Sequence, residues 1–294
     1  MINPEPALNV GSATLSVALV QMNSGDDKDQ NVRDALDGID RAAATGASLV
    51  ALPEVWTYLG PETGRRDAAE TIPGPLSDAL ADRARRHGLY VHAGSVYERV
   101  AGEFRLYNTS VVYDPNGDEV ARYRKIHLFD VDLDSDTAYN ESNAVAPGDE
   151  IVTFEINGIT VGLAICYDLR FPELFRILAL RGAEVIILPA AFTMVTGKDH
   201  WEPLIRARAI ENSVYIVAPA QVGQHPPGLW CFGRSMVVDP WGVVTAQATD
   251  QPTVLTSHLD LGYVEAVRRQ VPSLKNRLPD RYAWPALESV ATRS

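Results

Sequence analysis

Cysteine is nearly absent: the 294 residues include only Cys166 and Cys231. Two thiols cannot build a disulfide framework, which excludes a stapled extracellular scaffold and points to a reducing cytoplasm. No apolar run approaches the ~20 residues that span a bilayer, so a helical membrane protein is excluded. The opening MINPEPALNV has neither the basic nor the apolar region of a signal peptide. No Cys-x-x-Cys pair and no His-Glu-x-x-His pattern occurs, and the six histidines are scattered, so neither a metal nor another cofactor is expected. Positive charge is scarce: 26 basic against 38 acidic side chains leave a net charge of −12. Such a surface repels phosphate backbones, so nucleic acid is not an expected partner. No linker-like stretch divides the chain.

The composition that remains is that of a soluble globular protein, 46% hydrophobic and 22% charged. Residues 1–13 read as a flexible N-terminus, 14–270 as a single domain, and 271–294, rich in Pro and Arg, as a C-terminal arm. Within the domain, short continuous apolar runs such as Leu15–Met22 and Ser48–Pro53 read as strands covered on both faces. Segments of helical spacing alternate with them: Asp29–Ala44, Leu76–Gly88, Pro172–Leu180, His200–Asn212 and 261–270. Asp114-Pro115-Asn116-Gly117, Asn157-Gly158 and Asp239-Pro240-Trp241-Gly242 mark hairpin turns, the last within a hairpin from Trp230 to Ala248. The stretch from Ile126 to Glu150 has little periodicity and is long for a structureless loop. One echo stands out. GASLVALPE (Gly46–Glu54) is similar to GAEVIILPA (Gly182–Ala190), and each follows a strand and a helix. The fold class is therefore α/β, a domain of two related halves.

Three reactive side chains fall where strands stop: Glu54 after SLVALP, Lys125 at the end of DEVARYRK, and Cys166 at the end of ITVGLAIC. In open α/β sheets, sites gather beyond the carboxyl ends of strands. Read singly, each has an inert alternative: a buried thiol, a surface carboxylate, a solvated ammonium. Cys166, however, opens a strand–turn–helix passage, CYDLRFPEL, like a nucleophile elbow. Its backbone N–H groups would suit an oxyanion. Its base is either a histidine, His127 or one of the other five, or Glu54.

The segments LPEVW (Leu52–Trp56), YRKIHLFD (Tyr123–Asp130) and ICYDLRFPEL (Ile165–Leu174) together resemble the signatures of the nitrilase superfamily of carbon–nitrogen hydrolases, in that family's order. The resemblance runs from about Leu15 to Arg281. It implies a four-layer αββα sandwich, two sheets face to face with helices on the outer faces. It implies a Glu54–Lys125–Cys166 triad, a second glutamate at Glu141 in NESNAVAPGD, and the backbone of Tyr167 as oxyanion donor. The passages GKDHWEPLIRARAIEN and FGRSMVVDPWG resemble the omega-amidase and deaminated glutathione amidase branch. That branch implies a small-molecule amide substrate carrying a carboxylate, a Cys thioester and a homo-oligomeric, dimeric state. Arg170, Phe192 and Thr193 are the expected substrate contacts, with Arg170 alternatively a structural partner of Asp168 or Glu173. A nitrilase, an N-carbamoyl amidohydrolase and a non-catalytic scaffold are the other readings.

Overall fold

A computed structural model describes residues 13–132 and 138–283. Of the expected N-terminal segment and C-terminal arm, residues 1–12 and 284–294 lie outside that range.

The first half of the chain contains β1 (Thr14–Gln21), α1 (Lys28–Ala43), β2 (Leu49–Ala51), α2 (Glu62–Ala68), α3 (Pro75–His87), β3 (Tyr90–His92), β4 (Val96–Glu98), β5 (Tyr107–Tyr113) and β6 (Glu119–Arg124). The second contains β7 (Asp130–Asp132), β8 (Ala138–Asn140), β9 (Thr153–Ile156), β10 (Ile159–Leu163), α4 (Pro172–Leu180), β11 (Val185–Ile187), α5 (Met194–Asn212), β12 (Tyr215–Ala218), β13 (Val222–His225), β14 (Leu229–Phe232), β15 (Met236–Val238), β16 (Val244–Gln247), β17 (Thr253–Asp260) and α6 (Leu261–Gln270). Local chemistry sets the boundaries. The Asp27 carboxylate caps α1 by accepting from the Gln30 N–H at 3.0 Å. Pro75 opens α3, and Gly88 closes it in the left-handed conformation (φ 63°).

Two sheets form. One runs β17-β1-β2-β3-β5-β4 with β6 beside β5, the other β16-β15-β12-β11-β10-β9. Each has three parallel strands at its centre, β1-β2-β3 and β10-β11-β12, flanked by antiparallel neighbours. The repeated sequence pattern is thus a repeated topology.

Strand alternation makes the layers. On β1, Val17 and Leu19 share a core with Val161 and Leu163 of the opposite sheet. Ala18 and Val20 point the other way, onto Ile39 of α1 and Leu80 of α3. The second sheet is covered outside by Leu174 and Leu178 of α4 and by Trp201 and Ile205 of α5. The result is helices, sheet, sheet, helices, the four-layer sandwich expected. Each fully buried Leu or Val contributes about 1.5–3 kcal/mol. Gly162 lets α4 approach, since a Cβ there would sit 3.1 Å from both Leu178 methyls.

One expectation is corrected. Trp230, Cys231 and Phe232 do not belong to the Met236–Gln247 hairpin; they form β14 and pair with β13. The aperiodic stretch after Lys125 holds the β7–β8 hairpin and a 3-10 turn at Glu141–Asn143.

Candidate active site

Both sheets contribute side chains to one cavity. Glu54 follows β2, Lys125 follows β6, and Cys166 follows β10 across the inter-sheet core. All three, with Glu141, line a cavity of about 340 Å³. Their exposures are 4% for Glu54, 2% for Lys125 and 7% for Cys166, so the charges are largely withdrawn from water.

Lys125 Nζ donates to Glu54 Oε1 at 2.9 Å and to Glu141 Oε2 at 2.9 Å. An ammonium has three donors. Two are occupied by carboxylates, and the third is left for a ligand. Burial acts to lower the Lys125 pKa, but Glu141, Glu54 and Cys166 outweigh it and hold the pKa well above the ordinary lysine value. Glu141 mirrors this. Burial would raise its pKa, yet Lys125 and the Phe129 N–H, 2.7 Å from Oε2, keep it below the usual glutamate value. The pair is therefore an ammonium bound to a carboxylate.

Glu54 is held at both oxygens. Oε1 also accepts from Asn108 Nδ2 at 3.0 Å, and Oε2 accepts from the Ala191 N–H at 2.8 Å. Asn108 reaches Glu141 Oε1 too, at 3.3 Å, and so bridges the two glutamates. Ala191 follows the segment that echoes LPE, so the two halves of the repeat meet at this hydrogen bond.

Cys166 has φ 45°, a left-handed conformation that a non-glycine residue adopts only under constraint. Its N–H donates to Pro189 O at 2.9 Å, which anchors the elbow. A 3-10 turn, Cys166–Arg170, follows. The Tyr167 N–H lies in its first turn, where helical N–H groups lack an internal acceptor. Burial, then the Glu54 charge, push the Cys166 thiol pKa well up, against a lowering by Lys125. The resting sulfur is a neutral thiol.

Asp168 ties the elbow to the lysine-bearing loop. It is fully buried and accepts from Tyr123 Oη at 2.7 Å, the Ile165 N–H at 2.8 Å, and the His127 N–H and Nδ1 at 3.1 and 2.7 Å. His127 stacks on Phe171 at 3.6 Å and does not line the cavity. It supports the loop, and the carboxylate beside the sulfur is that of Glu54.

Tyr167, Phe192 and Thr193 line the cavity. Arg170 does not. Its guanidinium lies 5.2 Å from the Phe192 ring and 5.8 Å from the Tyr167 ring and reaches His200 Nδ1 at 3.3 Å. Its ligands are thus neither Asp168 nor Glu173; it braces two wall residues from behind. The sequence reading missed Asn108, which looks like one more polar position in a strand, and Arg65 and Tyr97, which also line the cavity.

A family model described as carbon-nitrogen hydrolase matches residues 16–269. The chain belongs to the carbon-nitrogen hydrolase family. Among relatives of this carbon-nitrogen hydrolase, the deaminated glutathione amidase of Synechocystis is 42% identical over 89% of the chain and 97% of its own length. The omega-amidase NIT2 of Mus musculus is 39% identical over 92% of the chain and 97% of its length. Among solved structures, the NitFhit protein of C. elegans superposes with a TM-score of 0.87 at 35% identity, over 92% of this chain and 67% of that one.

Proposed function

We propose that the protein is a thiol amidase that hydrolyses the primary amide of a small, carboxylate-bearing molecule to an acid and ammonia. The class is that of the deaminated glutathione amidase and omega-amidase relatives. One observation carries the reading: a strained cysteine, a carboxylate and an ammonium share the floor of one cavity.

The chemistry follows from that arrangement. Cys166 Sγ attacks the amide carbon as Glu54 takes its proton. Because the thiol is neutral at rest, deprotonation accompanies attack rather than preceding it. The carbonyl oxygen becomes an oxyanion, bound by the third Lys125 donor and the Tyr167 N–H. One such donor supplies about 3–4 kcal/mol of transition-state stabilisation. Glu54 passes its proton to nitrogen, the C–N bond breaks, and ammonia leaves a thioester. Glu54 then takes a proton from water, whose oxygen attacks the thioester. Collapse expels the sulfur, which recovers the proton, and releases the acid. Glu141 keeps Lys125 charged and aimed. The site residues proposed are Glu54, Lys125, Cys166, Glu141 and the backbone of Tyr167, with Phe192 and Thr193 against the substrate.

Ammonia release from deaminated glutathione, α-ketoglutaramate and succinamate, set beside a nitrile and an N-carbamoyl amino acid, tests the reading. Turnover of an amide with a thioester mass on Cys166 is expected. Turnover confined to the nitrile or the carbamoyl compound, or turnover surviving in Cys166→Ala, would sink it.

The same proposal includes a dimer in a reducing cytoplasm. Two free thiols support the compartment. Ile210, Trp241 and Val243, each about half exposed, support self-association. Among the described residues, no helix is long and apolar enough to cross a membrane. Sedimentation at micromolar concentration reads the oligomeric state directly.

A further inference from the structure

Two cationic side chains line the cavity among the described residues, Lys125 and Arg65. Lys125 is already matched by two carboxylates. Arg65 is not. Its side chain is 15% exposed, and its Nε is buried with no hydrogen-bond partner. Its ion pair is with Glu62, at 3.5 Å from Nη2, and that carboxylate is 79% exposed and thus strongly screened. A guanidinium offers five donors in a planar fork suited to a carboxylate. One withdrawn from water and left under-paired on a cavity wall is poised for an anion.

The fold holds Arg65 there. Its guanidinium lies 5.0 Å from the Tyr97 ring, which also lines the cavity. The Tyr58 hydroxyl donates to Pro61 O at 2.9 Å and pins the start of α2. Gly64, one residue before Arg65, sits against that hydroxyl so closely that a Cβ would overlap it. Arg65 and Tyr97 thus line the same cavity as Glu54, Lys125, Glu141 and Cys166. In a protein of net charge −12, an anionic substrate needs such a local cation.

We infer that Arg65 binds the carboxylate at the far end of the amide substrate, displacing its weak pairing with Glu62, and so selects acid-terminated amides over uncharged ones. The inference rests on the amidase reading and assigns its specificity to α2, a segment outside the three family motifs.

The test compares kcat/KM for succinamate and for butyramide, which replaces the carboxylate with a methyl group. Arg65→Gln is expected to cut the succinamate-to-butyramide preference tenfold or more, chiefly through the KM for succinamate. Arg65→Lys, which keeps the charge, is expected to retain most of the preference and guards against a folding artefact. An unchanged preference in Arg65→Gln, or an equal loss on both substrates, would overturn the inference. Calorimetry separates it from the amidase reading, because it needs no turnover. Succinate is titrated into Cys166→Ala with and without Arg65→Gln. At least tenfold weaker binding in the double variant supports the role of Arg65 even if no amide is cleaved; equal affinity, or no binding to either, overturns it.

Discussion

At the scale of single residues, Glu54 is the most exposed to test. It is bonded at both oxygens and lies beside the Cys166 thiol, which the proposed mechanism has it deprotonate. Glu54→Gln keeps the shape and removes the base. A loss of about 10²–10⁴-fold in kcat is expected, since general acid–base groups contribute on that order. Steady-state ammonia release measures it. Cys166 gives a second prediction. Its thiol pKa is pushed above the ordinary thiol value by burial and by the Glu54 charge. Alkylation of Cys166, followed by intact mass, should therefore rise with pH through 9 without levelling off. A plateau near neutrality would mean a resting thiolate. Glu54, Lys125 and Cys166 stood out in the sequence because each falls where a strand ends, and the family resemblance is what joined them into a triad. Asn108, Tyr97 and Arg65 did not. Their side chains matter through three-dimensional neighbours that no local spacing encodes. Arg170 misled for the same reason: proximity in sequence to Cys166 did not place its guanidinium in the cavity.

At the scale of elements, β3 ends in a histidine with a measurable signature. His92 is fully buried, and Nδ1 accepts from the Gly94 N–H at 3.2 Å. The Ser110 hydroxyl donates to Gly94 O, so His92 Nε2, 2.9 Å from that hydroxyl, is the donor to it. One accepting and one donating nitrogen define a neutral imidazole. Burial accordingly lowers its pKa from 6.5 to about 3. Below pH 6.5 the unfolded chain takes up a proton there that the folded chain refuses until about pH 3. Stability should thus fall as pH falls through that window. In His92→Gln the urea-derived slope between pH 6 and pH 4 should be shallower by up to about 1.4 kcal/mol per pH unit, although the variant is less stable overall. Most elements were readable from apolar spacing and turn chemistry; Pro172–Leu180 and 261–270 match the observed helices end to end. The helix α2 was hidden: it has no apolar stripe, its residues being ETGRRDA, so nothing announced it. The helix α5 ends at Asn212 as expected but begins at Met194 rather than His200. Gly197 is there for contact, as a Cβ would overlap Phe232.

At the scale of the whole molecule, the sandwich is bolted across its seam by Asp168 and Tyr123. Tyr123 is on the first sheet, and Asp168 follows a strand of the second. Both are fully buried. Tyr123→Phe removes the donor at 2.7 Å and leaves a buried carboxylate short of one partner. Denaturant unfolding should show a loss of about 1–3 kcal/mol. Activity should fall as well, because the same carboxylate positions both the elbow and the loop after Lys125. An α/β domain of two related halves was legible from the repeated strand–helix–strand pattern. That the halves face each other through two sheets was supplied by the family resemblance, since spacing along a chain does not say which faces meet.

The hydrogen bond from the Ala191 amide to Glu54 joins the corresponding ends of the two repeats. Registration between the sheets thereby becomes a chemical variable. A core substitution that lets one sheet slide by a fraction of an ångström would detune the proton acceptor without touching any reacting group. Variants deep in the middle of the sandwich should accordingly lose turnover before they lose their fold.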